Sequence, residues 1–168
     1  MKIALLTIWH EKNYGAELQA YATIKFLKSL SHDVKMIDVR LSDKDSKSIK
    51  FHIINVIESI GPCNRKFKKF WNHHIPTTQR YKSLIQLQNN PPIADLYIVG
   101  SDQVWNPDIT KTFQEIYFLN FGGPHIKRIS YASSFGQTDI NYENPKIVHK
   151  LLSCFNNISC REYSGVCS

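Results

Sequence analysis

The sequence predicts an α/β fold, a parallel sheet with flanking helices, and three features lead to that prediction. Lys2 to Ile8 and Leu96 to Val99 are nearly continuous apolar runs, as expected for strands buried on both faces. From Ala16 to Leu30, apolar residues recur at helical spacing. Strand and helix patterns that alternate along a chain are typical of parallel sheets with crossover helices. The 168 residues are enough for one domain with its own core.

The positive net charge of the chain favours anionic partners. Lys and Arg number 21 against 14 Asp and Glu, so the formal net charge is +7. This excess favours phosphorylated metabolites, anionic glycans, nucleic acid or an anionic membrane surface, without distinguishing among them. No apolar run approaches the roughly 18 residues of a membrane span, and the apolar start is too short for a signal peptide. We therefore expect a cytoplasmic protein with no membrane span.

The cysteines and histidines show no metal-ligating pattern. The four cysteines lack C-x-x-C spacing and do not resemble a disulfide framework. His73 and His74 are adjacent, and on a helix they would point about 100° apart, which makes a poor shared metal site. No metal is expected.

The first strand and helix predict the first half of a βαβ unit. A polar loop, Trp9 to Gly15, joins them and contains Asn13. Free N–H groups at the helix N-terminus would form an anion site at the carboxyl edge of the sheet, and a plain helix-entry loop is the alternative. Neither G-x-G-x-x-G nor G-K-S/T occurs. The helix is predicted to bury Ala16, Ala20, Ile24, Leu27 and Leu30, with Glu17, Lys25 and Lys28 off that face.

After the second predicted strand, Val34 to Val39, a basic helical insert is expected over about residues 40–90. Helical patterns cover residues 51–60 and 64–74, and a further short helix is expected from Gln79 to Gln88. Basic residues interleaved with aromatics would suit nucleic acid. However, Phe67, Phe70 and Trp71 share one helical face, whereas stacking on bases needs exposed rings. We therefore expect a solvated basic face over an apolar stripe and no nucleic-acid partner.

The strand Leu96 to Val99 is followed by a small, polar turn that is a candidate ligand site. Ligands of open α/β sheets bind just beyond the carboxyl ends of the strands. Gly100 would allow close approach of the backbone, and polar groups would come from Ser101, Asp102, Gln103 and Asn106. The alternative is a strand-to-helix turn with Asp102 as N-cap. We expect Trp105 to be a packing residue.

The last third of the chain repeats this pattern. Ile116 to Leu119 is predicted to be extended, Arg128 to Tyr131 and Ile158 to Cys160 to be strands, and Asn144-Pro145 to begin a helix. The residues that follow the carboxyl ends of the predicted strands should lie along one edge of the sheet. They are Gly15, Gly100, Asp102, Phe135, Gly136 and Arg161. The helix that would cover the last strand is missing, so we expect the chain to be truncated relative to a full-length protein.

Four motifs in this order resemble one family. They are Asn13-Tyr14-Gly15-Ala16 with Leu18 to Ala22, then Gly100 to Asn106, Ser130 to Gly136, and Ile158 to Gly165. The chain resembles the N-terminal half of a polysaccharide pyruvyl transferase family protein over essentially its whole length. Each motif is weak by itself, and it is their order that makes the resemblance specific. Cys160 stands where the family pattern suggests an aliphatic residue.

The resemblance implies a Rossmann-like domain similar to the N-terminal domain of a B-type glycosyltransferase fold, with the C-terminal domain absent here. Characterised family members transfer pyruvate from phosphoenolpyruvate to a sugar as a ketal, without a cofactor. Arg161 matches the family's arginine and is implied to contact the donor. The other basic donor-binding residues are implied to lie in the missing second domain or a partner chain, so this chain alone is expected to be inactive.

The chemistry needs a cationic donor site, a general acid and a base for the sugar hydroxyl. Asp102 and Arg161 are the candidate catalytic residues, and His10 and Glu11 are weaker candidates. The alternative for Arg161 is an ion pair with Glu162. Predicted substrate contacts are Asn13, Gly15, Gly100, Ser101, Gln103, Gly136 and Arg161. A nucleotide-sugar glycosyltransferase and a noncatalytic glycan- or anion-binding remnant remain alternatives.

Overall fold

A computed structural model describes residues 1–9, 13–40, 62–110, 114–137, 142 and 144–163. Its centre is a sheet of five strands in the order β3-β2-β1-β4-β5, and all neighbouring strands are parallel. The strands are β1 (Lys2–Leu6), β2 (Asp33–Val39), β3 (Thr77–Tyr81), β4 (Leu96–Val99) and β5 (Lys127–Ser130). This Rossmann-like α/β arrangement confirms the predicted fold class. The apolar β1 lies at its centre.

Helices connect the strands and cover the sheet. They are α1 (Tyr14–Ser29), α2 (Pro62–His74), α3 (Leu84–Asn89), α4 (Pro107–Thr110), α5 (Gln114–Tyr117) and α6 (Pro145–Leu152). Successive strand residues point to opposite faces, so β1 contributes to two separate cores. The face with α1 and α2 buries Ile3, Leu5, Val34, Met36, Ala20 and Ile24. The other face buries Ala4, Leu6, Ile37, Tyr97, Trp105, Phe118 and Val148.

Four predicted strands match the structure to within one residue at each end, and they are Ile3 to Thr7 within the run Lys2 to Ile8, Val34 to Val39, Leu96 to Val99 and Arg128 to Tyr131. The fifth, Ile158 to Cys160, is not a regular strand. Here the chain makes only two isolated parallel bridges, Ile129 with Asn157 and Ser133 with Cys160. The hydroxyl of Ser130 accepts from the amide of Ser159 at 2.8 Å, so a side chain replaces a backbone partner in the ladder.

One element prediction holds in part and one is wrong, each for a physical reason. The short helix expected from Gln79 to Gln88 exists from Leu84 onward as α3, whereas Gln79 to Tyr81 belong to β3, an edge strand whose pairing with β2 overrides a weak helical pattern. The segment Ile116 to Leu119, expected to be extended, starts in α5. A short apolar run does not distinguish a strand from a buried helical turn, and Phe118 and Leu119 are buried in the core.

Three details of the helices also differ. Leu30, expected to be buried by α1, follows the end of that helix and is 52% exposed. Glu17, expected off the buried face of α1, is only 2% exposed because Trp71 of α2 donates its indole N–H to the carboxylate. The second helix begins at Pro62, before Asn64, which was a candidate N-cap. Asn144 caps α6 as predicted, with Pro145 in the first turn. The predicted helix over residues 51–60 lies outside the described residues.

Candidate functional site

The carboxyl edge of the sheet carries the turn after β4 directly beside the end of β1. The amide of Gly100 donates to the carbonyl of Leu6 at 3.1 Å. Gly100 has a φ of 117°, and an added Cβ would lie 2.2 Å from the carbonyl oxygen of Tyr131. Only glycine fits this backbone conformation and this close approach. The polar turn therefore starts where three chain segments meet.

Gln19 connects helix α1 to both neighbouring loops. Its Nε2 donates to Thr7 Oγ1 at 3.0 Å and to the carbonyl of Ile8 at 3.2 Å. Its Oε1 accepts from Ser101 Oγ at 3.2 Å. The amide side chain thus fixes the predicted substrate contact Ser101 relative to the end of β1. Sequence analysis placed Gln19 in a family motif but not in the site.

The N-terminus of α1 lies at the same edge. Asn13 is its N-cap, and its side chain accepts from the amide of Gly15 at 2.8 Å. Both residues are exposed. The structure therefore places these two predicted substrate contacts on the surface of the edge. His10 and Glu11 lie outside the described residues.

The turn after Gly100 is held by its own side chains. Asp102 Oδ1 accepts from the amide of Gln103 at 2.7 Å, and Gln103 Oε1 accepts from Asn106 Nδ2 at 2.9 Å. A Cβ on Gly136 would lie 2.4 Å from Gln103 Oε1, so the loop after β5 packs directly on this turn. Asn106, and not Asp102, caps the following helix, since its Oδ1 accepts from Asp108 N at 3.0 Å.

Trp105 is a packing residue, as predicted. It is 1% exposed, and its indole N–H donates to the carbonyl of Tyr117 at 3.1 Å. Its ring contacts Phe118, Phe135 and Phe155. The polar turn is therefore anchored on an aromatic core.

Arg161 lies at the same edge and is linked to Asp102 through Ser134. The guanidinium Nη2 of Arg161 donates to Ser134 Oγ at 2.9 Å, and the amide of Ser134 donates to the carbonyl of Asp102 at 3.0 Å. The amide of Arg161 donates to the carbonyl of Ser133 at 2.9 Å. Half of the Arg161 side chain remains exposed. The structure therefore brings the predicted cation and the predicted carboxylate to one region, whereas their catalytic roles stay predictions.

Glu162 has a role that sequence analysis missed. Its Oε1 accepts from Ser134 Oγ at 3.1 Å, from the amide of Phe135 at 2.5 Å and from the amide of Gly136 at 3.2 Å. The Arg161 Nε to Glu162 Oε2 distance is 4.0 Å, the outer limit of an ion pair. Glu162 thus makes three hydrogen bonds to the loop after β5, whereas its contact with Arg161 is at the limit of an ion pair. In the sequence, the position of Glu162 next to Arg161 suggested an ion pair and gave no sign of its contacts with the loop.

Cys160, the departure from the family pattern, lies in an environment that disfavours its thiolate form. Burial, assisted by the nearby Glu162 carboxylate, raises the pKa of its thiol. A thiol with a raised pKa stays protonated near neutral pH and reacts poorly. Among the described residues, no group of three or more His, Cys, Asp or Glu side chains could hold a metal ion.

A second charged cluster lies at the carboxyl ends of β2 and β3. Asp38, which is 5% exposed, accepts from Arg40 Nε at 2.8 Å and from Arg80 Nε at 2.9 Å. Burial alone would raise the pKa of Asp38, but the hydrogen bonds and charges of both arginines outweigh it and lower that pKa. Sequence analysis missed this cluster, because Arg80 belongs to the strand that was predicted to be helical.

A cavity of about 510 Å³ lies at the other end of the sheet. Its lining includes Lys2, Asp33 and Lys35, near the amino ends of β1 and β2, and Ile93 before β4. None of the predicted site residues lines it. Ligands of open α/β sheets bind at the carboxyl ends, so we assign the site to the carboxyl edge.

Comparison with known proteins identifies a family. The family described as polysaccharide pyruvyl transferase matches residues 13–167. No curated protein and no solved structure shows significant similarity to the chain. Within the described residues, every helix is too short or too polar to cross a membrane.

Proposed function

Because the chain belongs to the polysaccharide pyruvyl transferase family, we propose that its carboxyl edge forms one wall of a site that transfers pyruvate from phosphoenolpyruvate to a sugar. The observation that carries this proposal is the pair of contacts at Ser134. They hold the cation of Arg161 and the loop of Asp102 on one side of the sheet. A donor anion and an acceptor hydroxyl need these two groups within reach of one another.

Arg161 is proposed to bind the donor. Phosphoenolpyruvate carries a carboxylate and a phosphate, and the planar guanidinium matches either anion in a forked geometry. One Nη of Arg161 is bound to Ser134, so the guanidinium is oriented before a ligand arrives. Half of the side chain is exposed, which leaves donor groups accessible to a ligand.

Asp102 is proposed to act on the acceptor. Protonation of C3 of phosphoenolpyruvate builds positive character at C2, and a sugar hydroxyl adds there as it loses its proton to a base. The C2–O bond to phosphate breaks, a second hydroxyl closes the ketal as it loses its proton, and inorganic phosphate leaves carrying one proton. Asp102 is partly exposed beside Ser101 and Gln103, where it could accept that proton. Because protonation at C3 is enough to activate phosphoenolpyruvate, the proposed reaction requires no cofactor.

The donor site is proposed to need cations beyond this edge. Two or so charge-assisted bonds from Arg161 provide about 3–6 kcal/mol gross. Lost translational and rotational freedom costs at least about 4 kcal/mol, so the net is near zero. We infer that a second segment, from a further domain or a partner chain, supplies more positive charge. A cytoplasmic location, with access to phosphoenolpyruvate, belongs to the same proposal.

A transfer assay tests this function. The chain is mixed with phosphoenolpyruvate and a panel of oligosaccharides, with and without a C-terminal domain from another family member. Phosphate release and the ketal methyl signal are followed by NMR. We expect transfer only with the added domain, a large loss in Arg161→Gln and partial activity in Arg161→Lys.

Two outcomes would contradict the proposal. Transfer of a glycosyl group from a nucleotide sugar would favour a glycosyltransferase. Glycan binding with no phosphate release in any mixture would favour a noncatalytic protein.

A further inference from the structure

The cavity near the amino ends of β1 and β2 contains none of the residues of the proposed transfer site. Its volume of about 510 Å³ lies within the range of roughly 300–1,000 Å³ that small-molecule sites occupy. Asp33 is the register partner of Lys2 in the parallel pair of β1 and β2, so both side chains point to one face of the sheet. Lys35 follows Asp33 by two positions and points to the same face. These three charged side chains form part of the cavity floor.

The charged groups of the cavity favour an anion. Within the part of the chain that the structure describes, neither Lys2 nor Lys35 takes part in an ion pair. One strand spacing and an offset of two residues place their Cα atoms about 8 Å apart, so both ammonium groups can reach one phosphate. Asp33 is the one carboxylate among the lining residues. Two lysines against one aspartate leave a single positive charge.

A buried tyrosine hydroxyl also opens into this cavity. Tyr81 lines the cavity and is 1% exposed, and within the described residues its hydroxyl has no hydrogen-bond partner. Among the described side chains, only His32 has a polar atom that is both sealed from solvent and unpartnered. The Tyr81 oxygen is therefore not sealed, and the cavity is the space that it faces. By contrast, Tyr97, buried on the same face of the sheet, donates to the carbonyl of Pro92 at 2.7 Å. A buried tyrosine hydroxyl usually has a partner, which a ligand atom would supply here.

One wall of the cavity is apolar. Pro91, Pro92 and Ile93, in the connection between α3 and β4, belong to the lining. Ile93 is 91% exposed, so its side chain is available to pack against a ligand. Asn90 and Gln79 add polar groups beside this wall. An apolar surface with a few polar groups is the usual composition of a small-molecule site.

We propose that this cavity binds a small organic phosphate with an apolar part, such as a nucleoside monophosphate. The phosphate contacts Lys2 and Lys35, since ammonium groups bind phosphate as point charges. The base packs on the apolar wall, Asp33 accepts a hydrogen bond from a sugar hydroxyl, and the hydroxyl of Tyr81 pairs with a polar atom of the ligand. The proposal does not rest on the proposed function, because none of these residues belongs to the transfer site.

Titration calorimetry on the full chain tests this site, with adenosine monophosphate, adenosine and inorganic phosphate as ligands. We expect adenosine monophosphate to bind about tenfold more tightly than either of the others, because each of those makes only part of the contacts.

Two variants locate the binding. Tyr81→Phe and Lys35→Gln should each weaken the binding of adenosine monophosphate by about three- to tenfold. Tyr81→Phe should leave the midpoint of chemical denaturation unchanged, because the hydroxyl has no partner among the described residues. The control is Lys146→Gln, which removes an exposed charge from α6 and should leave the affinity unchanged.

Four results would overturn the proposal. Adenosine monophosphate that binds no more tightly than inorganic phosphate to the unaltered chain would do so whether or not the variants fold. An unchanged affinity in folded Tyr81→Phe would exclude the buried hydroxyl from the site. An equal loss in Lys146→Gln and Lys35→Gln would indicate nonspecific attraction to a basic protein. Binding that is lost in Arg161→Gln but kept in Lys35→Gln would place the nucleotide at the carboxyl edge.

Discussion

The guanidinium of Arg161 donates to the hydroxyl of Ser134, and that same hydroxyl donates to the carboxylate of Glu162. The amide of Gly136 also donates to it, at 3.0 Å. A serine hydroxyl has one donor and two acceptor positions, and Ser134 uses all three. Since Ser134 also binds the Asp102 carbonyl through its amide, one residue sets the geometry of the whole region.

Ser134→Ala is expected to destabilise the protein by about 1.5–3 kcal/mol, the usual range for hydrogen bonds to charged groups. Ser134 is 1% exposed, so water does not readily replace the lost partner of Glu162. Chemical denaturation measures the loss. The control is Ser153→Ala, in which an exposed hydroxyl that donates to the nearby carbonyl of Lys150 is lost, and it should destabilise the protein by no more than about 0.5 kcal/mol. Equal losses in the two variants would show that Ser134 does not hold the site.

Gly100→Ala is expected to destabilise the protein by more than about 3 kcal/mol. The positive φ and a 2.2 Å contact with a backbone oxygen both oppose a side chain there, and the backbone oxygen cannot move away cheaply. Gly123→Ala is the matched control. The three atoms nearest to its added Cβ all belong to the exposed ring of His125, which can move aside, and its φ is not in the left-handed region. Thermal unfolding compares the two, and a Gly100→Ala variant as stable as the control would refute the close approach.

The contribution of Asp38 to the free energy of unfolding should decrease as the pH falls. Its folded pKa lies below the usual value of 3.8, so the unfolded chain binds the proton more readily. The stabilisation is therefore complete above the unfolded pKa and is lost as pH falls through the lower folded pKa. Asp38→Asn removes the carboxylate and should cost about 1–3 kcal/mol at neutral pH.

Denaturation of both proteins over a range of pH checks this prediction. The difference in unfolding free energy between the unaltered chain and Asp38→Asn should be constant from about pH 5 upward and shrink below about pH 4. A difference that grows on acidification would mean that Asp38 is not stabilised by Arg40 and Arg80.

The predictable part of the fold is the part set by local apolar runs. Strands β1 and β4 lie inside the sheet and are buried over consecutive apolar residues, and β2 is mostly buried as well. Strand β3 lies at the sheet edge, where Thr77 to Arg80 are half-buried or exposed and only Tyr81 is buried. Its sequence therefore carries no such run, and its pairing with β2 decides its structure.

The sequence predicts where the candidate site lies but not which side chains contact one another there. The rule that parallel strands share a carboxyl edge is enough to group Asp102 with Arg161. The contacts of Glu162 with the Ser134 loop depend on how two loops meet. The ion pair between Asp38 and Arg80 joins residues 42 positions apart, through a register that the sequence does not specify.

The most direct test of the donor site is titration of the chain with phosphoenolpyruvate, comparing the unaltered protein with Arg161→Gln. We expect a dissociation constant of tens of millimolar or weaker, because the binding contributions of Arg161 exceed the cost of association by at most about 2 kcal/mol. Arg161→Gln should abolish the measurable binding, and Ser153→Ala should leave it unchanged. Binding that persists unchanged in Arg161→Gln would contradict the assignment of the donor to this edge, and micromolar binding would contradict the need for a second segment.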